Sequence, residues 1–210
     1  MTDTALLIAG LGNPGGTYAG NRHNVGFMAV DAIHESYDFG PWRRRFEGAF
    51  SEGTLAGRKV FLLKPMTYMN DSGRALGAAA RFFKLGLESI VVIHDEIDLA
   101  AGKLKVKTGG GDAGHNGLRS ITATLGPGYR RVRIGVGHPG EKARVHGHVL
   151  QNFSRDDEEW LVPMLSAITK AAPLLAKDDD PGFMNKVAIT LKPPVMKPKP
   201  DTKTENDHGI

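Results

Sequence analysis

At 210 residues, with 40% hydrophobic and 24% charged side chains, the chain has the makings of one ordinary globular domain. It holds no cysteine, which removes disulfides, thiolate metal sites and thiol nucleophiles and fits a reducing, cytoplasmic setting. The net charge is only +4, but between residues 99 and 155 ten Lys or Arg stand against Asp112 and Glu141 alone, a balance suited to a phosphate-bearing partner.

Neither a signal peptide nor a membrane span is expected: the first residues have no basic leader, and no stretch approaches the roughly 20 apolar residues of a span. Residues 5–10 read as a short buried strand feeding the loop Gly10-Leu11-Gly12-Asn13-Pro14-Gly15-Gly16. Val25, Met28, Ala29, Ala32 and Ile33 then recur at i, i+3, i+4, i+7 and i+8, one apolar stripe of a helix. Residues 46–55 and 58–64 look like two strands joined at Ala56-Gly57. A helix is expected over residues 71–85, capped by Asn70 or Asp71. The run Ile90-Val91-Val92-Ile93 suits a strand buried on both faces, with Asp95 where that strand ends.

Residues 103–108 and 130–137 give two more strands around a helix over residues 116–125. Lys103, Lys105 and Lys107 alternate, as do Arg131 and Arg133, so each set shares one strand face. The last large helix spans residues 156–177, where Pro163 and Pro173 are expected to kink or interrupt it. Alternating strands and helices imply an α/β three-layer sandwich, with a mixed, largely parallel central sheet and helices on both faces. One catalytic domain over residues 1–190 and a flexible Lys/Pro-rich tail over residues 191–210 complete the reading.

The first loop spells G-x-G-x-x-G, but a dinucleotide site is rejected. The helix begins most of ten residues too late, and the acidic candidate Asp31 falls inside it rather than at the end of a second strand. Asn13-Pro14-Gly15 instead suits a type II turn that holds Asn13 rigidly at the carboxyl end of the first strand, where open α/β sheets bind ligands. An Asx-turn explains Asn13 equally well.

His23, at the start of the first helix, lies at the same sheet end as Asp95. A buried carboxylate fixes an imidazole tautomer and favours its protonated form, as a general base requires. On this reading Asp95→Asn is milder than His23→Ala, because it keeps a hydrogen-bond partner. His94 and Glu96 should turn to the opposite side. Asn70 and Asn116 each open a helix, a place where plain capping is common. With Asn13 they nevertheless ring the His-Asp pair with amides that suit a carbonyl or a peptide bond. His146 and His148 have no third ligand nearby, so no metal site is expected. The chemistry implied is metal-free hydrolysis.

Several blocks together resemble the bacterial-type peptidyl-tRNA hydrolase family: Gly10-Leu11-Gly12-Asn13-Pro14-Gly15 with Tyr18, Arg22-His23-Asn24-Val25-Gly26, Lys64-Pro65-Met66-Thr67-Tyr68-Met69-Asn70-Asp71-Ser72-Gly73, His94-Asp95-Glu96-Ile97-Asp98, the run from Gly109 through His115-Asn116 to Leu118, and Arg133-Ile134-Gly135-Val136-Gly137-His138-Pro139-Gly140. They come in the family's order over residues 5–188. The resemblance implies an ester hydrolase acting between a peptide and the 3′-terminal ribose of tRNA. His23 would be its base and Asp95 the group that orients it. Asn13 would sense the adjacent peptide bond, while Tyr68, Asn70 and Asn116 grip peptide and ribose. Tyr18, Lys107 and Arg133 would meet the acceptor stem and its 5′ phosphate. A monomer without cofactor is implied. Asp112-Ala113 departs from the family's loop, which often has His or Glu followed by Gly; the added negative charge is expected to soften RNA affinity. The alternatives are a non-catalytic RNA- or protein-binding module, or a peptidase or small-molecule esterase, for which the basic strands would have no purpose.

Overall fold

The computed structural model describes residues 4–192. In chain order the strands are β1 (Leu6–Gly10), β2 (Arg43–Arg45), β3 (Gly48–Leu55), β4 (Arg58–Pro65), β5 (Ile90–Glu96), β6 (Leu104–Thr108) and β7 (Arg130–Gly135). The helices are α1 (Val25–Ser36), α2 (Ser72–Phe83), α3 (Asn116–Leu125), α4 (Val145–Val149), α5 (Arg155–Ala176) and α6 (Asp180–Leu191). One seven-stranded sheet runs β2-β3-β4-β1-β5-β7-β6. Its centre, β4-β1-β5-β7, is parallel, while β2, β3 and the edge strand β6 pair antiparallel.

Every residue of β1 and β5 is buried, the pattern that parallel strands covered on both faces demand. Alternate side chains feed two cores. Leu6, Ile8, Val91 and Ile93 pack with Val30 of α1, Ile168 of α5 and Phe183 of α6. Leu7, Ala9, Ile90 and Val92 pack with Leu76 of α2 and Ile121 of α3. The expected three-layer α/β sandwich is therefore the observed one.

Several boundaries differ from the sequence reading. Phe46 and Glu47 take left-handed backbone (φ 54° and 52°) and make the turn between β2 and β3 rather than starting a strand. No side-chain bond caps α2; a 3-10 turn, Met69–Asp71, leads into it, and Ser72 Oγ donates to Met69 O at 2.8 Å. The helix ends at Phe83, with Lys84 left-handed. Asn116 does not cap α3; His115 does. The tail ascribed to residues 191–210 lies outside the described residues beyond Lys192, and α6 was not anticipated.

Neither proline interrupts α5. Pro163 is exposed, so the carbonyl it leaves without a helical donor lies on the solvent side. Pro173 deprives Thr169 O of its donor, and Tyr37 Oη replaces it at 2.9 Å, satisfying a group that would otherwise weaken the helix.

Candidate active site

The parallel strands end together, and the loops after them build one site. Its first element is a close approach. A Cβ at Gly10 would fall 2.1 Å from Gly26 O, and one at Gly26 only 2.3 Å from Ile93 O. Glycine at both positions lets the start of α1 press onto β1 and β5, setting the 3-10 turn Arg22–Asn24 against the strand ends. Arg22 fastens that turn to the start of α5 through Asp157 at 2.8 Å.

His23 Nδ1 lies 2.9 Å from both carboxylate oxygens of Asp95. An ionised carboxylate only accepts, so Nδ1 carries the ring proton and Nε2 keeps its lone pair. Both residues are buried, Asp95 the more completely. Burial works to lower the His23 pKa, but the charge and hydrogen bond of Asp95 outweigh it and lift the pKa above the usual 6.5. Burial likewise works to raise Asp95, yet His23 and His115 hold its carboxyl well below the ordinary range.

His115 is the principal residue that sequence reasoning missed. Gly117 N and Leu118 N donate to its Nδ1 at 3.1 and 3.3 Å, so its ring proton sits on Nε2, which donates to Asp95 Oδ1 at 3.0 Å. One side chain thus caps α3 and braces the carboxylate. Its ring lies 4.8 Å from that of His23. The available signal was its place between a glycine loop and a helix start. His94 stacks edge-on against His115. Burial, with His115 and Arg131 nearby, depresses its pKa to about 3.

A pocket of about 370 Å³ opens on His23, Asp95, His115 and Asn116. Glu96 lines it too, contrary to the alternation argument, because the strand is ending there. From the segment after β7 come His138, Lys142 and His146. His146 and His148 sit on a helix, not a strand, and His148 Nε2 donates to Val136 O at 3.2 Å.

Asn13 borders a neighbouring hollow instead. Its Oδ1 accepts from Met69 N at 2.8 Å. Its backbone is stapled by Asn24, another residue not foreseen, through Asn13 N to Asn24 Oδ1 and Asn24 Nδ2 to Asn13 O, each 2.9 Å. The expected type II turn is absent: Gly15 adopts φ 102°, ψ 151°, a region only glycine occupies readily. Tyr68, 63% exposed, and exposed Asn70 stand on the turn before α2, and Tyr18 on the 3-10 turn Gly16–Tyr18. None of these three lines the pocket.

The basic strands are neighbours, but their registers separate the cations. Lys107 faces Arg131, and Lys105 faces Arg133. Arg133 is engaged through Nε with Glu96 Oε2 at 2.9 Å. Arg131, 3% exposed, is a latch rather than a surface charge. It donates to Gly111 O and Gly110 O at 2.8 and 2.9 Å and lies over the Tyr129 ring. Asp112 accepts from Thr122 Oγ1 at 2.8 Å and lies 3.5 Å from Arg131. The added negative charge of the glycine loop is thus met within the protein.

This geometry can be set beside known proteins. The family model for peptidyl-tRNA hydrolase matches residues 7–195. A peptidyl-tRNA hydrolase of Rhodopseudomonas palustris is 60% identical over 186 residues, covering 89% of this chain and 92% of its own. One from Acidiphilium cryptum is 58% identical over 187 residues, covering 89% and 97%. The crystal structure of the Acinetobacter baumannii enzyme superposes with a TM-score of 0.84 at 39% identity, covering 89% of this chain and 96% of that one. With the match spanning nearly all of the described residues, the chain belongs to the peptidyl-tRNA hydrolase family.

Proposed function

We propose that this protein hydrolyses the ester between a peptide, or an N-blocked amino acid, and the 3′-terminal ribose of tRNA, with His23 as a metal-free general base. The observation that carries the reading is the shared carboxylate. Asp95 fixes His23 with its proton on Nδ1, so Nε2 is the nitrogen able to take a proton from water. The resulting hydroxide attacks the ester carbonyl carbon. As the carbon–oxygen bond breaks, the imidazolium returns its proton to the departing 3′ oxygen. General-base help of this kind contributes about 10²–10⁴ in rate.

His23, Asp95 and His115 offer ligand atoms within 4.8 Å of one another, but at 2.9–3.0 Å each nitrogen of the pair shares its proton with Asp95. This donor set already has its partners, which favours hydrolysis without a metal. Asn116 and the Lys142 side of the pocket suit ribose and phosphate. Asn13 meets the peptide bond next to the ester, and Tyr68 and Asn70 flank the peptide. Tyr18, Lys107 and Arg133 take the acceptor stem and its 5′ phosphate. The enzyme works as a monomer in the cytoplasm, where charged tRNA is handled. The complete His-Asp set disfavours a purely binding role. Among the described residues no helix is long and apolar enough to cross a membrane.

The test is turnover of N-acetyl-aminoacyl-tRNA against an RNA-free ester of the same amino acid. The RNA substrate should be strongly preferred, and His23→Ala should lower kcat by at least about 10² with tRNA affinity nearly unchanged. Retention of more than a few per cent of turnover would remove His23 from the role.

A further inference from the structure

The strand order gives the substrate a direction. Lys105, Lys107 and Arg133 lie on β6 and β7, at one edge of the sheet, and His138 and Lys142 follow β7 into the pocket. Phosphate-bearing RNA therefore arrives from the β6 side. The reacting ester sits at His23 and Asp95, over β5. A chain continuing away from the RNA must pass β1 and then β4, and there the second hollow lies.

That hollow, also about 370 Å³, has Asn13 at its border. Pro14, Phe27, Met28 and Met66 give it an apolar lining, with Lys64 and Asp31 at the same site. Phe27 is held by the close approach of Gly12, where a Cβ would stand 2.7 Å from the ring. Met66 is 46% exposed, an apolar side chain left open to water. The one cation is spoken for: Lys64 pairs with Asp31 and its amine sits 4.6 Å from the Trp42 ring. The hollow thus offers apolar contact and no uncommitted charge.

We infer that this hollow beyond Asn13 is a side-chain subsite for the residue preceding the esterified one, and that it selects apolar side chains. The inference rests on the hydrolase reading above, in which Asn13 meets the peptide bond between those two residues. The residue on the far side of that bond falls next to Pro14, Phe27 and Met66. Flexible methionines accept several shapes, so the selection is by polarity more than by size. Desolvating a carboxylate there, with Lys64 already engaged, has no compensating partner.

The experiment compares kcat/KM for N-acetyl-Leu-Ala-tRNA, N-acetyl-Asp-Ala-tRNA, N-acetyl-Lys-Ala-tRNA and N-acetyl-Ala-tRNA, which lacks the second side chain. The natural sequence should favour Leu over Asp by at least about fivefold. Met66→Glu, at an exposed position, should cut the Leu rate by about fivefold and raise Lys above Leu, and Met66→Ser should lose the Leu advantage without gaining Lys. Equal rates for Leu and Asp in the natural protein would overturn the subsite. So would a fall in Met66→Glu shared equally by N-acetyl-Ala-tRNA. If none of the four substrates is turned over, the hydrolase reading itself fails and takes the subsite with it.

Discussion

Asp95→Asn tests the shared carboxylate most directly. An amide supplies one acceptor oxygen where Asp95 now serves two imidazoles. His115 cannot adapt, because its Nδ1 accepts from two helix N–H groups and its Nε2 must donate. If the new amide oxygen turns to His115, its NH₂ faces His23 Nδ1. That oxygen, at the Oδ1 position, also stands 2.9 Å from His23 Nδ1, but the NH₂ group at the Oδ2 position competes for the same nitrogen and favours the tautomer with the His23 proton on Nε2, which abolishes the base. If the oxygen turns to His23, a buried N–H confronts the N–H of His115, a conflict worth about 1–3 kcal/mol. Adding the lost charge that stabilises imidazolium, the variant should fall about 10³-fold in kcat with KM within about threefold. This replaces the milder outcome expected from sequence. On the proposed role of His23 the unprotonated form is the reactive one, so kcat/KM should rise as pH passes its raised pKa; without the Asp95 charge this limb should move to lower pH. In the double variant with His115→Asn, the shorter amide side chain still caps α3 but no longer donates toward the amide that replaces Asp95. The amide oxygen there is free for His23, and about tenfold of kcat should return. More than about 10% residual kcat in Asp95→Asn, or simple additivity in the double variant, would refute the tautomer argument.

Two further outcomes are expected. Ala113 holds a left-handed φ of 46° in the glycine loop, so Ala113→Gly should raise unfolding stability by about 0.5–1 kcal/mol in urea titration; a loss would mean the strain is not there. Lys107→Ala with Arg133→Ala should raise KM for tRNA bearing a 5′ phosphate and erase its preference over dephosphorylated tRNA, with the salt slope falling by about 0.7–0.9 per contact removed. The same loss of preference in Lys103→Ala, or in Arg131→Ala without lowered stability, would argue for a diffuse basic field instead.

The central elements were legible because their patterns are local. The unbroken apolar run before His94 suits a strand covered on both faces, and it places Asp95 at a strand end. The stripe from Val25 to Ile33 can only be one helix face. What escaped depends on partners far away in sequence. Alternation marked Arg131 and Arg133 as one strand face, correctly, but could not reveal that the glycine loop folds back over Arg131 and that Glu96 takes Arg133. The prolines of α5 looked disruptive because the substitute donor, Tyr37, lies 132 residues from Thr169. The strand β2 is three arginines, with no apolar alternation to betray it. His115 was passed over for the same reason: its capping role is local, but its value to Asp95 appears only once β5 and α3 meet.

That second histidine answers a difficulty inherent in a buried base. The attraction between protonated His23 and Asp95 raises the folded pKa of His23. The stability it brings is therefore complete below the unfolded value near 6.5 and is lost as pH rises through the folded pKa. With His23 as the proposed general base, catalysis would need the state above that pKa, in which His23 is neutral and its charge no longer helps to hold a carboxylate in the interior. There Asp95 depends on hydrogen bonds, one from His23 Nδ1 and one from His115 Nε2, and two donors to a buried carboxylate favour its charged form where burial alone would neutralise it. Were Asp95 to take up a proton, it would cease to fix the tautomer of His23. The glycine loop latched by Arg131 runs directly into His115, so its conformation would bear on how Asp95 is held and, through it, on the proposed base. On this argument the loop's hydrogen bonds belong to the chemistry as much as to the fold.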